Sequence, residues 1–170
     1  MTDIRAVAAM AVQYPFALHF GGADKVPHSI SSPSSHFQRI KRLGQYATYV
    51  CVADGEGNLG FGECFGLPNP RPCEILINEL IGPALEGVPL TTPDEMLADW
   101  HTYFGALGNT RGAPMEALAG LDIAIWDLLA RRAGKDLGAF LGGTVAPVAT
   151  YASPIPFTGH PDRSIDAARA

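Results

Sequence analysis

A surplus of positive charge is the first thing this sequence lacks. Its 12 Lys and Arg face 17 Asp and Glu, a formal net charge of -5, whereas a nucleic-acid surface needs clustered Lys and Arg in excess to neutralise phosphates. Cysteines at metal-knuckle spacing are lacking too. Cys51, Cys64 and Cys73 are three in number and lie 13 and 9 residues apart, which gives no CxxC pair and no closed disulfide framework. Reduced, buried thiols are expected. No run approaches the roughly 18 apolar residues of a membrane-spanning helix. Residues 6–12 are apolar, but Asp3 precedes them, Arg5 alone is basic, and no small-residue cleavage site follows before Tyr14-Pro15. That is not the pattern of a signal peptide, and a cytoplasmic location is expected. What is present is a globular composition, 47% hydrophobic and 17% charged over 170 residues, long enough to bury a core.

Strands come first and helices after. Residues 3–13 fit a strand ending at Pro15, and residues 45–53 (Gln-Tyr-Ala-Thr-Tyr-Val-Cys-Val-Ala) are rich in β-branched and aromatic types. Asp54-Gly55-Glu56-Gly57-Asn58 has the Asp-Gly pair and glycines of a tight turn, so residues 59–64 return as a third strand. Gly55-Glu56-Gly57-Asn58-Leu59-Gly60 formally satisfies the dinucleotide-binding pattern G-x-G-x-x-G. Its glycines open a strand followed by Pro68, Pro70 and Pro72 rather than a helix, so the hairpin reading prevails.

Beyond Pro72 the apolar period changes from two to about 3.6. Ile75, Leu76, Leu80 and Leu85 predict the buried stripe of a first helix that frays near Gly82-Pro83. A second helix should start at an N-cap Thr92, with Pro93 in the first position and Glu95 completing a capping box, and run to Gly105. A third runs from Pro114 with Met115, Leu118, Leu121, Ile125, Leu128 and Leu129 on one face, Arg131 and Arg132 in its last turn and Gly134 as its stop. A helical turn over residues 136–141 ends at Gly142-Gly143.

The stretch from Met115 through Leu121-Asp122-Ile-Ala-Ile-Trp-Asp127 to Leu141-Gly142-Gly143 resembles the helix and Leu-Gly-Gly turn that close the capping domain of the mandelate racemase and muconate-lactonising group of the enolase superfamily. The order of strands, Gly-Phe-Gly-Glu hairpin and helices is similar as well. The resemblance covers residues 3 to about 153. It implies an α+β fold: a three-stranded antiparallel sheet followed by a helical bundle over residues 1–143, then the start of a truncated (β/α)8 barrel over residues 144–170. Pro147-Val-Ala-Thr-Tyr-Ala-Ser would be its first strand and residues 161–170 the beginning of a helix. A whole barrel takes about 250 residues.

It also implies a chemistry. Members abstract the proton α to a carboxylate with a Lys or His base while Mg2+ stabilises the enediolate. The Lys-x-Lys motif of the second barrel strand and the carboxylate ligands of the third to fifth have no counterparts here. The resemblance therefore implies the substrate-lid domain of an acid-sugar dehydratase, racemase or cycloisomerase, with no catalytic residue and no metal ligand in this chain, inactive without the missing barrel. The partners implied are that barrel and a small carboxylate substrate, with no nucleic acid and no membrane; homo-oligomerisation is left open. The alternative is a free-standing small-molecule binding or interaction module that has lost the barrel. Asp122 and Asp127, five apart or about 500° of helical rotation, are expected to brace the helix, and Glu63 to pair at the end of the hairpin.

Candidate substrate contacts fall in two loops. Residues 15–44 lack periodicity, and a connection of that length is usually a lid or binding loop. In the family the corresponding loop folds over the barrel mouth. Lys25, Arg39, Lys41 and Arg42 against Asp24 leave it cationic, which suits an anion; a solvated basic loop is an equal reading. His19, with Phe16 and Phe20 beside it, is the leading candidate within it. His19, His28 and His36 are too far apart in an unpatterned segment to define a metal site. In the second loop, residues 65–72, Arg71 is the candidate anion contact.

Overall fold

A computed structural model of the chain describes residues 2–26, 42–144 and 146–150. Three strands form one antiparallel sheet in the order β1 (Ile4–Pro15), β2 (Gly44–Asp54), β3 (Leu59–Phe65), and helices follow. These helices are α2 (Arg71–Leu76) and α3 (Gly82–Leu85) joined by a widened π-type turn (Ile77–Ile81), α4 (Pro93–Met96), α5 (Ala98–Ala106), α6 (Ala113–Arg132) and α7 (Leu137–Phe140). The chain divides into two compact units, Met1–Gln13 with Tyr46–Val145 and Tyr14–Gln45 with Ala146–Ala170.

In the first unit the hairpin strands alternate between buried and outward residues. Thr48, Val50 and Val52 of β2 point inward, opposite Cys64, Gly62 and Gly60 of β3 in the antiparallel register. The two glycines exist because α6 lies directly on the backbone of β3. A Cβ at Gly60 would overlap the Ala124 carbonyl, and one at Gly62 the Gly120 carbonyl; on the helix side, a Cβ at Gly120 would strike the Cys64 sulfur. Small residues in a strand interior often mark such an approach. Leu118, Leu121, Ala124, Ile125 and Leu128 of α6 complete the core and are all but inaccessible to solvent, as the periodicity predicts. Gly134, at φ 62°, ends the helix, with Lys135 N–H donating to the Ala130 carbonyl at 3.0 Å.

The hairpin is locked by a buried carboxylate. Asp54 accepts hydrogen bonds from the amides of Glu56 (2.9 Å) and Asn58 (2.8 Å), from the Asn58 side chain (2.8 Å) and from Arg132 at the end of α6. Burial alone pushes this carboxyl up, but the bonds from Asn58, Arg132 and the Glu56 amide outweigh it and hold the pKa at about 2. Asp127 accepts from the Phe61 amide on the outer edge of β3 at 2.9 Å and from Arg131 at 2.7 Å, so it braces helix against strand as expected. Glu63 is exposed and makes no ion pair among the described residues, so its expected pairing is not seen there.

The free edge of β1 is covered as well. Ile4 N–H donates to Val88 O, Gly87 N–H to Ile4 O and Leu90 N–H to Thr2 O, all within 2.9 Å. Further along, the Asn78 amide both accepts from Ala9 N–H (2.7 Å) and donates to its carbonyl (2.9 Å), while Glu74 accepts from Ala11 N–H (2.9 Å). Helix side chains thus stand in for a fourth strand.

Several sequence expectations need correction. The first helix does not fray at Gly82-Pro83. It continues to Leu85 through the π-type turn, in which the Gly82 amide donates to the Ile77 carbonyl. The buried stripe runs through Cys73, Ile77, Ile81 and Leu85, so of the expected residues Leu85 is buried and Ile75 and Leu80 are exposed. The second helix breaks at Leu97 (φ -104°, ψ -1°), and no side-chain cap forms at Thr92; its carbonyl accepts from Glu95 and Met96 instead. Residues 15–44 contain a short helix, α1 (Phe16–Phe20), and a 3-10 turn, Ala23–Lys25. No strand is present at residues 146–150, and residues 151–170, the rest of the expected barrel segment, lie outside the described ones. Cys64 and Cys73 are buried free thiols as expected, but Cys51 is only half-buried.

Two outcomes follow for stability. G62A should lose roughly 3 kcal/mol, an overpacking cost with backbone on the other side, whereas G105A, with nothing within 4 Å of the added Cβ, should be neutral or gain up to about 1 kcal/mol; equal losses in urea unfolding would contradict the close approach. The Asp54 carboxyl titrates at about 2 when folded against 3.8 in its reference state. Its stabilisation is therefore full above about pH 4 and fades as pH falls through about 2. D54N should be less stable than the parent at pH 6, by about 3 kcal/mol, and the gap should narrow between about pH 4 and 2; a gap constant with pH would count against a depressed carboxylate.

Candidate functional site

The polar opening of the first unit lies where the sheet hands over to α2. It is a cavity of about 410 Å3 whose walls include Gln13, Tyr46, Pro68, Asn69, Pro70 and Arg71. The loop that forms one wall is tied to the sheet at both ends. Gly66 sits so close to the backbone of Tyr46 and Ala47 that a Cβ there would overlap it. The Thr48 hydroxyl, wholly buried, donates to the Pro70 carbonyl at 2.6 Å. Between these ties lies a cis Leu67–Pro68 bond, and the Asn69 side chain accepts from the Arg71 amide at 3.1 Å. Prolines at 68, 70 and 72 restrict the backbone further.

Arg71, the first residue of α2, is exposed and makes no ion pair among the described residues. A guanidinium presents a planar fork of donors matched to a carboxylate or phosphate, and here it is flanked by Gln13, Asn69 and Tyr46, whose side chains offer further hydrogen bonds. The arrangement can bind and orient a small anion.

In the second unit, Phe16 and Phe20 meet edge to face at 6.5 Å, and the His19 ring stands edge-on to Phe20 at 4.7 Å. The three candidates of the first loop are therefore brought together on α1. Their surroundings differ: Phe16 is 5% exposed, with the Arg42 guanidinium 5.4 Å above its ring, while His19 is exposed. Arg42 also donates to the Gly44 carbonyl at 3.1 Å, so part of the loop's positive charge holds its own base together. His28, His36, Arg39 and Lys41 lie outside the described residues.

Among the described residues no three His, Cys, Asp or Glu side chains converge as a metal would require, and no helix is long and apolar enough to cross a membrane. Asp122 sits apart from the cavity; burial first, and then Asp94, raise its pKa, opposed by His101. Sequence reasoning missed Gln13, Tyr46 and Asn69. Asn69 has a local signal, an Asn between two prolines two residues ahead of a helix start, the pattern of an Asx turn. Gln13 and Tyr46 carry none, since only the register places them at the cavity.

The chain is similar to known proteins of one family. Residues 25–142 match the family model "Mandelate racemase / muconate lactonizing enzyme, N-terminal domain". A D-galactonate dehydratase family member from Paenibacillus is 26% identical over 106 residues, covering 62% of this chain and 25% of the relative. D-galactarolactone cycloisomerase from Agrobacterium fabrum is 32% identical over 92 residues, covering 52% of this chain and 22% of the relative. The chain thus spans about a quarter of the length of these curated relatives. Among solved structures, an enolase from Bradyrhizobium complexed with magnesium and mandelic acid superposes with a TM-score of 0.69 at 26% identity, covering 88% of this chain and 37% of that one. With a sheet, a helical layer and a closing Leu-Gly-Gly turn of this form, the chain belongs to the mandelate racemase / muconate lactonizing enzyme N-terminal domain family, the capping domain of the enolase superfamily.

Proposed function

We propose that this chain is the substrate-selecting cap of an acid-sugar dehydratase or cycloisomerase and takes no part in the proton transfer itself. The observation that carries the reading is the Arg71 cavity. It is a cationic, hydrogen-bonding recess, in a domain whose curated relatives are named as a dehydratase family member and a cycloisomerase. In this account Arg71 meets a carboxylate, and Gln13, Asn69 and Tyr46 sort the hydroxyls near it. His19 and Phe20 on α1 form a second contact surface, with Phe16 beneath holding their helix.

Mg2+ belongs to the reaction that the family implies, and such an ion takes oxygen ligands at close to octahedral geometry. The described residues assemble no such set, so no step through the ion is assigned to this chain. The base, the metal ligands and the barrel that carries them are supplied by sequence other than the described residues. The working enzyme thus divides its labour: the cap recognises, and the barrel abstracts the proton.

Two measurements test this. Incubated with Mg2+ and a panel of hydroxy acids in D2O, the isolated chain should exchange no α-hydrogen; exchange above the protein-free rate would overturn the division of labour. Titrated with a sugar-acid carboxylate, the 15N-labelled chain should show shifts at the amides of Gln13, Asn69 and Arg71, and R71Q should bind about tenfold more weakly. Shifts confined to other residues, or R71Q binding as tightly as the parent, would remove Arg71 from the site.

A further inference from the structure

Two thiols that the proposed function leaves unused are packed together beneath the cavity loop. Cys64 at the end of β3 and Cys73 in the first turn of α2 are each 1% exposed. The ladder pairs Thr48 with Cys64, and the Thr48 hydroxyl reaches the Pro70 carbonyl at 2.6 Å, three residues before Cys73. On α6, Cys73 Sγ lies 3.7 Å from Glu116 Oε2 and 3.7 Å from the Ala113 carbonyl, while Cys64 Sγ lies against Gly120, one turn on from Glu116. Both sulfurs therefore occupy the same face of one helix, on adjacent turns. Cys51 takes no part; it stands on β2 paired with Phe61, with no bond to either.

We infer that Cys64 and Cys73 form a reversible disulfide on exposure to a hydroperoxide, and that this bond fastens residues 65–72, the segment carrying the Arg71 cavity wall. Cys73 Sγ faces the Glu116 carboxylate at 3.7 Å, and that carboxylate can take its proton. Cys73 is therefore the attacking sulfur. Its thiolate displaces hydroxide from the peroxide by breaking the O–O bond and becomes a sulfenic acid. Cys64 then attacks that sulfur, forming the S–S bond; the sulfenic oxygen leaves as water, taking up the Cys64 proton. One hydroperoxide is reduced and two thiols are oxidised. A small thiol reductant reverses the step by exchange. Because both sulfurs are buried, the reaction runs through local opening of the first turn of α2.

The test uses the whole chain with C51S, which removes the third thiol. After peroxide treatment the Cys64–Glu74 peptide released by cleavage after Glu63 and Glu74 should be lighter by two hydrogens, and no disulfide should join two chains. Amide exchange at Gly66, Leu67, Asn69 and Arg71 should slow about tenfold, with full reversal by a thiol reductant. C73S should block the intramolecular bond, and C64S should stop at the oxygen adduct on Cys73. Oxygen adducts without loss of two hydrogens in C51S, or disulfides only between chains, would overturn the pairing. A disulfide that leaves exchange of residues 66–71 unchanged would overturn the fastening.

Discussion

The rest of this fold depends on the direct contact of a helix with the backbone of a strand. Gly60 and Gly62 on β3 and Gly120 on α6 remove the side chains that would hold the two apart. At that separation the inward row of β2, Thr48, Val50 and Val52, becomes the adjacent wall of the same core, and Leu118, Leu121, Ile125 and Leu128 fill it. Polar groups at the rim then fix the helix along and across the strand. Asp127 bonds the Phe61 amide at the strand edge, and Arg132 reaches the buried Asp54 in the turn. A buried carboxylate is tolerable there because its oxygens accept from amides, an asparagine side chain and a guanidinium.

The same contact sets the position of the candidate site. The inward row of the hairpin places Thr48 beside Cys64, and the Thr48 hydroxyl holds Pro70, so the loop leading into α2 inherits the rigidity of the sheet. On the other side, α2 and the π-type turn hold β1 through Glu74 and Asn78, leaving Gln13 beyond them at the cavity. Arg71 thus stands where a loop anchored to a scaffold enters α2, a usual setting for a residue that recognises a ligand. An anchored arginine loses less freedom on meeting a carboxylate than one on a free segment.

Much of this was legible in the sequence, and the reasons are local. The β-branched run at residues 45–53, the Asp54-Gly55 turn and the long apolar face of α6 each state their structure within a few residues, and the segment from Leu121 to Gly143 carries the family resemblance. What was not legible depends on register or on a single backbone defect. The glycines of β3 read as turn and hairpin features, although their alternation is the mark of a helix pressed against a strand. The buried stripe of the first helix runs through Cys73, Ile77, Ile81 and Leu85 across a π-type turn, a defect that a regular 3.6 period does not contain. Arg132 read as a charge suited to the helix end; its partner Asp54 lies 78 positions away. Of the candidate site, Arg71 was visible as a lone cation among prolines, whereas Gln13 and Tyr46 join it only through strand pairing.

The account assigns recognition to this domain and bond-making to another. Its most direct test is a chimera in which residues 1–143 replace the cap of the Agrobacterium fabrum cycloisomerase, with kcat/KM measured over a series of sugar acids and lactones. A folded chimera that still abstracts the α-proton but has a changed order of preference is the predicted result. A folded, active chimera with the cycloisomerase's own preference would show that the cap does not select, and would contradict the account.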